Sequence, residues 1–493
     1  MSNARLALIP FAVALAIAGV TRAVFAFDGL SSQDAYAYFN FARAIGPHLR
    51  HGAPLPDLFW PRGYPVAVAA LLPIAGGGPG AGQLVSALAC AGAAAATFLL
   101  VRALAERQAG GARWSAAASM AAGLAVACSG ATIRYSQLVM ADALAAGLVA
   151  AALLGAARFA AGGRGGWLIA CAVALAWGTT TRWLVGLLGL PLAAYLLPAL
   201  RRRRDAWPWA AAAAIGALAI LLPQLAVARA IPQSFAQHEW VQHWSLAHAL
   251  RREFQTPESH EVYRLPVALF YVVRLGWPDY FSPLLALFAL GGLIYLIRAR
   301  EFSALALLAG WPAVALVFIS GIPYENPRFL VPTLPAVAAI AGIGFGAAWK
   351  VAGTKGRWIA VVVFALSLGA GAVAAAREQR RQVERKNSDL DLISWTLARV
   401  PPDAELLMEG PTLAFEHYGH RPARALFSLT SEDVDRVVRS GGPLYLLADV
   451  ATLDGPRKGK GPQLHLARLR RDPGLVALGD HPPYTLFAAR GRQ

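Results

Sequence analysis

Long apolar runs separated by short polar breaks occupy the first three quarters of this chain. The pattern predicts eleven membrane-spanning helices, at about 6–27, 83–104, 114–130, 138–157, 167–180, 183–200, 207–228, 281–297, 302–322, 329–349 and 358–376. A further run, from Arg62 to Ala75, is too short to span and ends in Gly76-Gly77-Gly78-Pro79-Gly80. It reads as an interfacial or re-entrant helix. Between the first span and that run, residues 33–45 show helical spacing of apolar side chains, with Ser31 or Ser32 as N-cap. Their aromatics suit a helix lying at a membrane surface.

The pattern changes after Ala376. Leu390–Val400 predicts a helix, and Ala404–Met408, Leu444–Leu447 and Tyr484–Ala488 predict strands. Thr430-Ser431-Glu432-Asp433 starts another helix that Gly441-Gly442 ends. The expectation is an all-α polytopic membrane domain over 1–376 and a small α/β extracytoplasmic domain over 377–493, a usual domain size.

Composition agrees: 57% of the 493 residues are hydrophobic and only 15% are charged. The net charge of +17 would suggest nucleic acid in a soluble protein. Here the basic residues sit in short loops between apolar runs, which the positive-inside rule explains more simply. With the N-terminus cytoplasmic, Arg102, Arg107, Arg113, Arg158, Arg164, the run Arg201–Arg204, Arg298, Arg300, Lys350, Lys355 and Arg357 all fall inside and the C-terminus falls outside. Counting 62–75 as a span would put the four-arginine run outside. Cys90, Cys128 and Cys171 lie in apolar runs, so no disulfide framework is expected.

Polar residues recur near the outer boundary. Asp34 opens the aromatic helix, and Arg62 opens the short run. Asp142 follows Arg134 and Tyr135, Arg182 lies between two apolar runs, and Glu325 and Arg328 lie in Pro323-Tyr324-Glu325-Asn326-Pro327-Arg328. Boundary arginines often only anchor span ends. Several of them at breaks on one face also make a clamp for a phosphate at headgroup depth. His238, His243 and His248 recur at spacings of five, which misses the helical metal pair.

The order of these segments carries a resemblance. Gln33-Asp34-Ala35-Tyr36 is followed by Trp60-Pro61-Arg62-Gly63-Tyr64-Pro65, then Tyr135-Ser136-Gln137 through Asp142, Thr181-Arg182-Trp183, and Arg328-Phe329-Leu330-Val331-Pro332. Over residues 1–376 this resembles the GT-C integral-membrane glycosyltransferases, in particular the dolichyl-phosphate-mannose protein mannosyltransferase and aminoarabinose transferase-like enzymes. The resemblance implies a sugar moved from a polyprenyl-phosphate donor to a lipid, glycan or protein acceptor, outside a bacterial inner membrane. It maps the acid of the first outer loop onto Asp34, as base or acceptor-orienting acid; from their placement Arg62, Arg182 and Arg328 are read as phosphate stabilisers, and Tyr64, Asp142 and Glu325 as further substrate-binding residues. Some relatives bind a divalent metal. Their second acid is Ala35 here and their usual histidine before the paired prolines is Trp60, so no metal ligand is assigned. The competing readings are a transporter, which would need ionisable groups at mid-membrane depth, and a non-catalytic cell-envelope assembly protein on the same scaffold.

Overall fold

A computed structural model describes residues 2–106, 116–230, 238–256 and 259–490. Arg107 and Arg113 of the basic-loop pattern therefore lie outside the described residues. The first ten helices are α1 Asn3–Phe25, α2 Gln33–His51, α3 Gly63–Leu71, α4 Gly80–Glu106, α5 Ala116–Ala127, α6 Gly130–Tyr135, α7 Ala141–Ala160, α8 Gly166–Thr181, α9 Gly189–Arg202 and α10 Trp207–Ala230. After them come α11 Glu239–Gln242, α12 Val267–Leu275, α13 Pro283–Arg298, α14 Phe302–Leu308, α15 Gly310–Ser320, α16 Leu334–Val351 and α17 Thr354–Leu397. Among the described residues, eight helical stretches are long and apolar enough to cross a membrane, and α5, α8 and α13 are shorter apolar helices. Among the described residues, helix covers most of each of the eleven runs read as spans.

The chain divides into two units. The first, helical unit comprises Met1–Leu30, Tyr38–Leu250 and Pro266–Arg380. Its core is built from Val149, Leu153, Phe159, Leu188, Trp311 and Ile340, all buried. Small residues let its helices touch backbone to backbone. A Cβ on Gly344 of α16 would lie 2.0 Å from the Phe288 carbonyl oxygen of α13, and one on Gly292 of α13 would lie 2.0 Å from that of Ile340. Where lipid removes the hydrophobic drive between helices, such close approach supplies van der Waals contact instead. The run from Arg62 folds as the nine-residue α3, far short of a membrane's thickness.

The second unit comprises Ser31–Ala37, Arg251–Leu265 and Arg381–Gln493. It holds the hairpin β1 Glu253–Gln255 and β2 His260–Val262, and a five-stranded sheet of β3 Glu405–Met408, β4 Arg424–Ala425, β5 Leu444–Ala448, β6 Leu475–His481 and β7 Tyr484–Ala489. Strand order is β4-β3-β5-β7-β6, with β3 parallel to both neighbours and β7 antiparallel to both of its own. Helices α18 Thr412–Tyr418, α19 Ser431–Ser440, α20 Val450–Asp454 and α21 Gly461–Arg471 complete it. Val434, Val437, Leu466 and Leu469 from α19 and α21 pack with Leu407 and Leu446 of the sheet.

The start read at Thr430 is a capping box. Thr430 Oγ1 accepts the Asp433 N–H at 3.1 Å, and Asp433 accepts the Thr430 N–H at 3.0 Å. Those bonds to the ionised form hold the Asp433 carboxyl below its ordinary range. The helix expected at Leu390–Val400 is corrected: it is the end of α17, which runs unbroken from Thr354 to Leu397. No proline or glycine interrupts the chain between Arg377 and Leu397, and glutamate, glutamine and arginine there favour helix. The change in composition marks a change of surroundings, not of secondary structure.

Candidate active site

Glycine brings the first pieces together. A Cβ at Gly63 would lie 2.7 Å from both the carbonyl oxygen and the hydroxyl of Thr180, so only glycine lets the start of α3 press on the end of α8. Trp177 of α8 donates its indole N–H to the Gly63 carbonyl at 3.2 Å. Two residues past Thr180, Arg182 leaves the helix in an extended conformation, φ −145° and ψ 118°, before a 3₁₀ turn over Trp183–Leu188. The Trp60–Arg62 turn and Arg182 thereby become neighbours.

Arg182 donates through Nη2 to both oxygens of Asp142, at 2.8 and 2.7 Å. Asp142 sits in the first turn of α7, where the helix dipole favours a carboxylate. The pair is 5% and 1% exposed. The remaining donors of Arg182, Nε and Nη1, are buried, and among the described residues nothing hydrogen-bonds them. The Arg182 guanidinium carbon lies 4.7 Å from the Trp60 ring centroid, and that of Arg328 lies 5.1 Å from the same ring. One indole therefore serves two cations. Tyr135, also buried, lies within electrostatic reach of Arg134, Asp142, Arg182 and Arg328.

The segment carrying Arg328 is pinned from three sides. Asn326 Oδ1 accepts the Arg328 N–H at 3.2 Å and starts the 3₁₀ turn Pro327–Thr333. Tyr280 donates to the Leu330 carbonyl at 3.0 Å, and Trp311 donates to that of Pro332 at 3.0 Å. Tyr271 donates to the Tyr324 carbonyl at 3.0 Å and accepts the Asn326 N–H at 3.2 Å. An apolar cleft of about 30 Å³ opens beside Arg182 and Asp142, walled by Trp60, Trp183, Phe318, Ile322 and Phe329.

Glu325 lies in the same loop. Burial pushes its carboxyl up to about 7, against the opposing pull of Arg274. Its Oε1 is buried without a hydrogen-bond partner. A carboxyl raised in the folded state binds its proton more tightly there than in the unfolded chain, so its contribution to stability declines as pH rises from about 5 to 8. Glu325→Gln should flatten that decline and melt above the wild type at pH 8; thermal unfolding in detergent across this range checks it.

The other expected residues fall elsewhere. The Arg62 guanidinium lies 4.9 Å over the Phe41 ring, its backbone N–H donates to Gln224 Oε1 at 3.1 Å, and among the described residues nothing hydrogen-bonds its Nε. Tyr64, expected to bind substrate, makes packing contacts. Its ring is fully buried, and its hydroxyl donates to the Gly82 carbonyl at 3.0 Å and meets Ser86 Oγ at 3.1 Å, so it packs α3 on α4. Asp34 lies half-buried in the first turn of α2 and belongs to the second unit. Helix α2 begins at Gln33, and the Ser32 carbonyl accepts the Ala35 N–H at 2.9 Å. Of the three spaced histidines, His248 bonds the Gly321 carbonyl at 2.9 Å, His238 packs on Phe59 and Trp240, and His243 is exposed. Among the described residues no three His, Cys, Asp or Glu side chains gather where they could hold a metal ion.

Trp60 and Tyr135 were named in the sequence but given no role there. Both stand inside the quoted motifs, and nothing local says that their rings face charge.

No known family profile and no curated protein matches the chain. The fold is that of the GT-C membrane glycosyltransferases, and its solved neighbours belong to that class. The aminoarabinose transferase ArnT from Cupriavidus metallidurans, bound to undecaprenyl phosphate, superposes with a TM-score of 0.65 at 17% identity over 98% of both chains. The apo oligosaccharyltransferase of Archaeoglobus fulgidus superposes with a TM-score of 0.58 at 10% identity, over 91% of this chain and 70% of that one.

Proposed function

We propose that this protein is a membrane glycosyltransferase that moves a sugar from a polyprenyl-phosphate carrier to a lipid, glycan or protein acceptor on the outer face of a bacterial inner membrane. The observation that carries the reading is Arg182: a guanidinium locked by Asp142, with two donors unpaired, beside Arg328 on one indole and next to an apolar cleft. Burying an ion pair returns about what desolvation costs, so this pair is a poor device for stability. It is a good device for aiming donors at an anion. The apolar walls of the cleft suit contact with an apolar tail, and ArnT, of the same fold, has been solved with undecaprenyl phosphate.

In the proposed step the acceptor oxygen attacks the anomeric carbon and gives its proton to Asp34. The bond from that carbon to the phosphate oxygen breaks, and the phosphate leaves with the electron pair. Arg182 and Arg328 meet the charge that develops on it, and Arg62 and Glu325 are assigned to substrate binding around it. Among the described residues no three His, Cys, Asp or Glu side chains gather where they could hold a metal ion, and the second acid of the relatives is Ala35, so no step is routed through one. The casting of Asp34 rests on the sequence pattern. The cytoplasmic N-terminus and outer C-terminus rest on the basic loops.

The test is consumption of donor by the purified protein in nanodiscs: sugar should leave its polyprenyl phosphate and the free lipid phosphate should accumulate. Absence of both across lipid-linked sugars would overturn the reading. Arg328→Ala should lower turnover about 100-fold, as for one lost stabilising donor. Arg328→Lys should recover part of it, because lysine keeps the charge and loses the planar fork. Equal activity of all three forms at equal protein level would remove Arg328 from the phosphate site.

A further inference from the structure

The sheet of the second unit has a reversal in strand order at β3. From β3 the chain crosses through α18 to β4 on one side, then through α19 to β5 on the other. In open α/β sheets the crevice at the carboxyl ends of the strands, where the order reverses, is where ligands bind. Here the residues at that end are Glu409, Gly410, Pro411 and Thr412. Gly410 has φ +148°, and a Cβ there would press on the Tyr484 ring at 3.0 Å.

A segment from the far end of the same chain is fastened at this place. Gln33 donates through Nε2 to the Gly410 carbonyl at 2.7 Å and, at a longer 3.5 Å, to Thr412 Oγ1. Its Oε1 accepts the Leu413 N–H at 3.3 Å. Both ends of the carboxamide are used, across 377 residues of sequence. One turn of α2 later, Tyr36 is 3% exposed and packs on His417 at 5.9 Å and edge-on to Tyr418 at 6.0 Å, at the other end of α18. Tyr418 is itself held by Lys386, which donates to its hydroxyl and lies 4.5 Å from its ring centroid. Asp34 stands between the two fastened residues, and its other neighbour, Ala35, is fully buried.

We propose that the α/β unit serves as the positioning element for Asp34: through Gln33 and Tyr36 it grips the helical turn that carries the acid and sets where its carboxylate stands. The inference rests on the reading of Asp34 as the catalytic acid. It gives the C-terminal region a task that needs no ligand of its own. Gln33 and Tyr36 are positioning residues and touch no reacting atom.

The experiment uses the full-length protein in nanodiscs with Gln33→Ala, Gln33→Glu and Tyr36→Leu. Gln33 is exposed, so its replacement leaves the core intact and the melting temperature near the wild type. Gln33→Glu should act most strongly, because a carboxylate oxygen would face the Gly410 carbonyl. Its turnover should fall on the order of 10-fold, as for a small misplacement of a reacting group, with donor KM unchanged. Hydrogen–deuterium exchange at the amides of residues 35–37 should quicken in the same variant. Wild-type turnover with faster exchange would show a grip without a catalytic role, and unchanged exchange would show no grip; either overturns the proposal. A rise in donor KM with unchanged turnover would also overturn it. Failure of the underlying reading is a separate result: Asp34→Asn would then itself keep wild-type turnover.

Discussion

Arg182→Ala is expected to abolish measurable transfer and to lower the melting temperature. Two effects combine. The substitution strips Asp142, 1% exposed, of the partner that neutralises it, and breaking a buried pair from one side costs about 3–5 kcal/mol. It also removes the two unpaired donors, worth about 10²–10³ in turnover for a preorganised group at developing charge. A second variant separates the effects. Arg182→Met combined with Asp142→Leu removes both charges and fills the space with apolar atoms, so stability should return to near the wild-type level. Transfer should not return. Thermal unfolding and donor consumption, measured on the same preparations, check both halves. A double variant that transfers sugar normally would reduce the pair to packing and sink the phosphate clamp.

Asp34→Asn is expected to lower turnover by about 10²–10⁴, the usual contribution of a positioned general base, while leaving donor affinity unchanged. The exchange keeps size and helix-start chemistry, because asparagine is well tolerated near a helix N-terminus. The loss of a charge in the first turn of α2 costs only about 0.3–1 kcal/mol from the helix dipole, so the fold should persist. The measurement is single-turnover release of polyprenyl phosphate from pre-bound donor, which removes binding from the result. Undiminished single-turnover release would transfer the role of base to another group.

These expectations mix what local sequence can and cannot announce. Hydropathy alone located the helical runs, because a segment that must satisfy its backbone bonds in lipid needs a long apolar helix. The short run after Arg62 was legible for the same reason, its length being too small to span. The Thr430 capping box and the three strongest strands were legible because their signals lie within a few residues. The edge strands β4 and β6 and the hairpin of β1 and β2 were not: β1, β2 and β4 are only two or three residues long, and β6, though seven, is largely exposed and carries Gly479 and Asp480, which disfavour a strand. The end of α17 was misjudged because a turn from apolar to charged side chains resembles a boundary while the backbone continues.

What the sequence by itself determined is therefore the class of molecule, the run of apolar helices, and a set of charged residues at their ends. What only the tertiary structure decided is which of those residues meet. Arg182 and Asp142 pair across 40 positions, Trp60 serves two arginines from different segments, and Gln33 fastens to the α18 start. Tyr64, part of the same motif as Arg62, turned inward to Gly82 and Ser86. The physical reason is one of range. Periodicity and caps are written in neighbouring residues, whereas a buried ion pair or a shared aromatic face depends on packing that no window of sequence contains.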